Sequence, residues 1–127
     1  MRAATSTILN YAATSYAACA ANNIIDHANG GKTIEEVDGG TGNRASFVYS
    51  GNSYDCCVSC ITSSDNCRAF VYVGLSGFEC ELLIGNSCTP GVPGGGLQYK
   101  TSLSDTGPGI PVGNGRCGLV QNGGTGQ

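Results

Sequence analysis

Apolar positions along this chain come in short periodic bursts separated by turn signals. The clearest burst predicts a helix over 53–63. Cys56, Cys57, Cys60 and Ile61 fall at i, i+1, i+4 and i+5, which is one face of a helix. Ser53 can cap that helix, and Asp55 puts a negative charge in its first turn, where the helix dipole favours one. Ser63-Ser64-Asp65-Asn66 ends it. Two strands follow, 67–73 and 78–84, joined by Gly74-Leu75-Ser76-Gly77. In the second strand Phe78, Cys80, Leu82 and Ile84 share one face, and Glu79 and Glu81 take the other. The first strand is apolar on both faces, which reads as a buried central strand.

The flanking segments are patterned more weakly. Residues 23–25, 33–37 and 45–49 read as short strands, set apart by Asn29-Gly30-Gly31 and Asp38-Gly39-Gly40. Residues 85–96 form a Gly/Pro loop carrying Cys88, and 97–103 read as a strand. Residues 104–127 are Gly/Pro-rich, with Cys117 as their anchor. At the other end, residues 1–18 are rich in Ala, Thr, Ser and Tyr. Their faint helical spacing (Ile8, Tyr11, Ala12, Ser15) leaves a short helix and a loose arm both open. Met1-Arg2 could begin a leader, but Asn10, Tyr11 and several Thr and Ser interrupt the apolar core a leader needs. Residues 1–18 therefore read as part of the ordered chain, with any leader lying outside this sequence.

Composition narrows the class. The chain has 127 residues, 8 of them cysteine and 21 glycine, with no Trp. An even, dense cysteine count in a small chain reads as a disulfide framework and an oxidising compartment, hence a secreted or cell-wall-associated protein. Bridges supplement a modest core by constraining the unfolded chain. Charged residues are 12% of the chain, about half the usual share. The six basic residues (Arg2, Lys32, Arg44, Arg68, Lys100, Arg116) are scattered and the net charge is −3, so no basic stripe exists to follow a nucleic-acid backbone. No apolar run approaches the roughly 20 residues of a membrane span.

The pattern Cys56-x3-Cys60, Cys67-x2-Phe70-x-Tyr72, Cys80-x-Leu82 resembles the PAN/apple family. The likeness is nearest to its small secreted fungal members, which share the double cysteine of Tyr54-Asp55-Cys56-Cys57-Val58-Ser59-Cys60 and a tail like Val112-Gly113-Asn114-Gly115-Arg116-Cys117-Gly118. The resemblance covers residues 19–118, leaving 1–18 as an N-terminal arm and 119–127 as a Gly-rich tail. It implies a disulfide-rich α+β fold, an antiparallel sheet of about five strands packed on one helix. It also implies bridges Cys56–Cys80 and Cys60–Cys67 and a clasp Cys19–Cys117, with Cys57 and Cys88 as the remaining pair. Eight cysteines allow 105 pairings, so spacing alone selects none of them. The implied clasp would contribute on the order of 4–5 kcal/mol.

Candidate chemistry is sparse. Cys57-Val58-Ser59-Cys60 has the spacing of a redox motif or half a zinc site, but no second such pair completes a metal centre, and structural bridges are the better reading. Asp26-His27 lacks a nucleophile elbow, and neighbours on a strand point to opposite faces, so His27 reads as an exposed strand-end residue. Glu79 and Glu81 share a strand face, as a glycosidase pair would, but read as a solvated face. No cofactor is expected. Tyr49, Tyr54, Tyr72 and Tyr99 are the candidate ligand-binding residues, since aromatic faces stack on sugar rings, although some of them should pack in the core. No N-x-[ST] sequon occurs, which leaves O-linked sugar on Ser and Thr as the route to a glycoprotein.

Two functions of different class follow. The resemblance implies a non-catalytic adhesion module that recognises carbohydrate or protein at a cell surface or wall. Scarce charge and long flanking arms point instead to a subunit that self-assembles into a filament or coat, for instance by strand addition at a sheet edge.

Overall fold

The computed structural model describes residues 17–20, 22–74, 77–87, 97–116 and 120–125. Among the described residues, eight strands form two four-stranded sheets rather than one sheet of about five. The strands are β1 (His27–Ala28), β2 (Lys32–Asp38), β3 (Asn43–Tyr49), β4 (Cys67–Val73), β5 (Glu79–Gly85), β6 (Gln98–Thr101), β7 (Val112–Asn114) and β8 (Gln121–Thr125). The first sheet runs β1-β2-β6-β8, with β6 and β8 parallel. The second runs β3-β5-β4-β7 and is antiparallel throughout. Helix α1 spans Ser53–Ile61, and a 3-10 turn covers Ala17–Cys19.

Alternation along β4 and β5 explains the layering. Phe70, Tyr72, Cys80, Leu82 and Ile84 are buried against Cys56, Cys57, Cys60 and Ile61 of α1. The intervening Ala69, Val71 and Leu83 are buried on the other side, against Ile34, Leu97 and Val112. The second sheet is thus sandwiched between the helix and the first sheet. Its inner strand β4 is buried nearly throughout, as its unbroken apolar run predicts.

The helix begins one residue earlier than a Ser53 cap would place it. Asn52 is the N-cap, and its side-chain carbonyl accepts the Asp55 amide at 2.8 Å. Thr62 closes the other end. Two bridges pin the helix to the sheet: Cys56–Cys80 reaches into β5, and Cys60–Cys67 reaches the start of β4. The third departs from expectation. Cys19 bonds Cys57, not Cys117, so Cys57 is not paired with Cys88. Cys57 is the next helical position after Cys56, turned about 100° around the axis, and there it meets the 3-10 turn and not the sheet. Cys88 and Cys117 lie outside the described residues.

The segment read as a strand at 23–25 is instead a connector. Its Ile25 makes a two-bond bridge to Val112, which covers the outer side of β7. Asn23 adds a second tie, since its side chain both donates to the Asn114 carbonyl and accepts the Asn114 amide at 3.0 Å. Gly115 then passes directly over the helix staple. A Cβ there would stand 2.2 Å from the Cys67 carbonyl oxygen and 2.8 Å from the Cys60 sulfur. Residues 121–125, read as tail, form β8 alongside β6. No helix among the described residues is long and apolar enough to cross a membrane.

Candidate binding surface

With β7 covered by Ile25, the second sheet keeps one edge, β3, that no described strand pairs. The register sets Phe47 opposite Glu81 and Tyr49 opposite Glu79, so these four side chains share one face of the β3–β5 pair. Phe47 and Tyr49 are 59% and 78% exposed. Phe78 joins them at 47% exposure, with its ring 5.8 Å from that of Tyr49 in an edge-to-face arrangement.

Phe78 was expected to follow Cys80, Leu82 and Ile84 toward the helix. Instead it precedes β5, and its backbone is left-handed, with φ +63°. Its amide donates to the Gly74 carbonyl and its carbonyl accepts the Ser50 amide, which hold it in the turn. A bulky residue in this region is a true outlier, and such outliers cluster at functional sites. Here the unusual backbone turns an aromatic ring outward onto Tyr49.

The carboxylates complete the surface. Burial, with Glu79 adding like-charge repulsion, pushes the Glu81 carboxyl above its ordinary range. The surface therefore joins three exposed rings to two hydrogen-bond-accepting carboxyl groups, on strands held from beneath by Cys56–Cys80.

The backbone of β3 adds to this. The Ser50 amide bonds Phe78 of the facing chain, and such pairs recur at every second residue of an antiparallel ladder. Val48, Ser46 and Arg44 therefore bond inward to β5. Ala45, Phe47 and Tyr49 direct their backbone groups to the open edge.

The four candidate tyrosines are not brought together. Tyr49 belongs to this surface, and Tyr54 is a half-exposed residue of α1. Tyr72 is buried, its hydroxyl donating to the Ser50 carbonyl at 3.0 Å, and Tyr99 packs against the inter-sheet core. A search confined to Tyr misses Phe47 and Phe78; the alternation Ala45, Phe47, Tyr49 is the signal that finds the first of them.

The remaining candidates resolve as follows. The cysteines of Cys57-x2-Cys60 sit in two separate bridges, so they form neither a redox pair nor half a zinc site. Asp26 and His27 do meet, with Oδ1 2.6 Å from Nδ1, because Asp26 stands just outside β1 and its side chain is free to swing toward its neighbour. No group of three or more metal-binding side chains occurs among the described residues. No protein-family model, curated protein or solved structure matches this chain.

Proposed function

We propose that this chain is a secreted, non-catalytic binding module that recognises carbohydrate at a cell surface or wall. The observation that carries the reading is the outward cluster of Phe47, Tyr49 and Phe78 beside Glu79 and Glu81. Ring faces stack on the apolar faces of sugars, and carboxyl oxygens accept sugar hydroxyls. Rigid strands lower the cost of ordering such a site on binding. The disulfides fit an oxidising compartment. A helix pinned through Cys56–Cys80 and Cys60–Cys67 is what the PAN/apple resemblance implies, and PAN/apple domains are binding domains.

The test is a glycan array and a wall-polysaccharide pull-down with the oxidised chain. Tyr49→Ala and Phe78→Ala are each expected to weaken capture about tenfold, the loss of one stacking ring, while Tyr54→Ala leaves it unchanged. Blank results from both assays overturn the reading, as does equal capture by all variants.

A second reading, self-assembly, is favoured by one observation. Among the described residues the β3 edge is unpaired over seven residues, with Arg44 its single charge and no proline or bulge to blunt it. Concentration-dependent light scattering distinguishes it: growth of oligomers supports assembly, and a monomer throughout excludes it.

A further inference from the structure

A second concavity lies near that surface. The end of β4 (Tyr72, Val73, Gly74) and the segment 108–111 that leads into β7 enclose a cleft of about 270 Å³, with Asp26 on its wall. Tyr49, Glu79 and Val73 stand in one row across β3, β5 and β4, so the cleft opens two strand spacings, roughly 10 Å, from Tyr49.

Its walls are firmly set. The Tyr72 amide donates to the Pro111 carbonyl, Ile110 to Ile34 and Ile34 to Asp26, each at 2.8 Å. Gly109 is left-handed at φ +69°, and a Cβ on it would stand 2.2 Å from the Asp26 carbonyl oxygen, so the segment is pressed against Asp26. Pro108, Ile110, Pro111 and Val73 make the lining apolar.

One charged group interrupts it. The Asp26 side chain is half exposed, and its Oδ1 is fixed by His27 Nδ1. Its other oxygen has no protein partner among the described residues. Glu79 and Glu81 lie along the same face, whereas Arg44 and Arg68 sit at the opposite ends of their strands. An apolar cleft with one acidic residue in its lining, in an acidic neighbourhood, suits an apolar stem that ends in a cation.

We infer that this cleft binds a primary amine carried on a short apolar stem, with the stem between Val73, Ile110 and the prolines and the ammonium on Asp26. The site is independent of the carbohydrate reading. Its size, just under the usual range for ligand pockets, suits a molecule of about ten heavy atoms.

The experiment titrates the oxidised full chain, followed by amide chemical shifts, with three probes of one shape: phenethylamine, 2-phenylethanol and 3-phenylpropionate. Phenethylamine is expected to shift Asp26, Val73 and Ile110 and to bind about tenfold tighter than the alcohol, the worth of one charge-assisted hydrogen bond at a half-exposed site. The acid is expected to bind weakest. Asp26→Asn, whose backbone contacts are retained, should bring amine and alcohol to equal affinity, and Val73→Phe, which fills the cleft, should weaken all three. Equal binding of the three probes overturns the inference, as do shifts mapping elsewhere or an Asp26→Asn variant that keeps the amine preference. Glycan capture is read separately, so its loss leaves this result standing.

Discussion

At the scale of single residues, Phe78 explains most about where sequence periodicity stops. Its position matches the spacing of Cys80, Leu82 and Ile84, and a period of two assigns it to the helix-facing side. The left-handed backbone after Gly77 breaks that period before β5 begins. Such a bond rotation leaves no trace in hydrophobicity. Phe78→Asn should keep the fold, because Asn tolerates this backbone and relieves roughly 1–2 kcal/mol of strain, offsetting the lost contact with Tyr49 at about 0.5–1.5 kcal/mol. Thermal unfolding is expected to differ little from the parent while carbohydrate capture falls. Glu81 makes a second case. Folded Glu81 holds its proton to higher pH than a glutamate in the unfolded chain, so the folded state binds more protons between those two values. Stability contributed by this group therefore falls as pH rises through that window. Glu81→Gln is expected to be more stable than the parent to urea at pH 7, with the difference vanishing near pH 4.

At the scale of elements, legibility tracks how much burial each segment carries. The helix and the β4–β5 hairpin were readable because their apolar faces meet a core, and the face defined by Cys56, Cys57, Cys60 and Ile61 is fully buried. β8 was unreadable for the opposite reason. Gln121-Asn-Gly-Gly-Thr125 has neither alternation nor strand-favouring residues, and pairing with β6 imposes its extended form. Disulfide partners were legible only through the family likeness: that route matched the two bridges under the helix and missed Cys19. Cys19 pairs 38 residues along the chain with Cys57, and closing a loop of that size contributes about 4 kcal/mol in the chain-entropy model. Peptide mapping under non-reducing conditions should recover a Cys19–Cys57 peptide. The double variant Cys19→Ser with Cys57→Ser is expected to lose about 2–4 kcal/mol of stability in guanidinium unfolding. A Cys19–Cys117 peptide would contradict this arrangement.

At the scale of the whole molecule, the two readings of function meet at one edge. The same residues, Phe47 and Tyr49, offer rings to a ligand and free backbone groups to a partner strand. Ala45→Pro separates the two uses, because it removes an outward-facing amide without touching the inward ladder. It should abolish any association seen in light scattering and leave carbohydrate capture intact, since no ring is altered. Loss of both would mean that a shared assembly, not the isolated surface, does the binding.

The order of strands has a consequence in time. The second sheet draws its three longest strands and the helix from one continuous stretch, residues 43–85, whereas the first joins strands that begin at residue 27 and end at residue 125. Local pairings close small loops and form early, while distant ones wait. During synthesis the helix, its hairpin and two of its bridges can therefore mature while β2 still lacks β6. Until then the sandwich is half built, and its inter-sheet core, around Ile34 and Leu83, stays wet until the last strands arrive. That interval is when the protein is most exposed to misassembly, and residues 97–125 set how long it lasts.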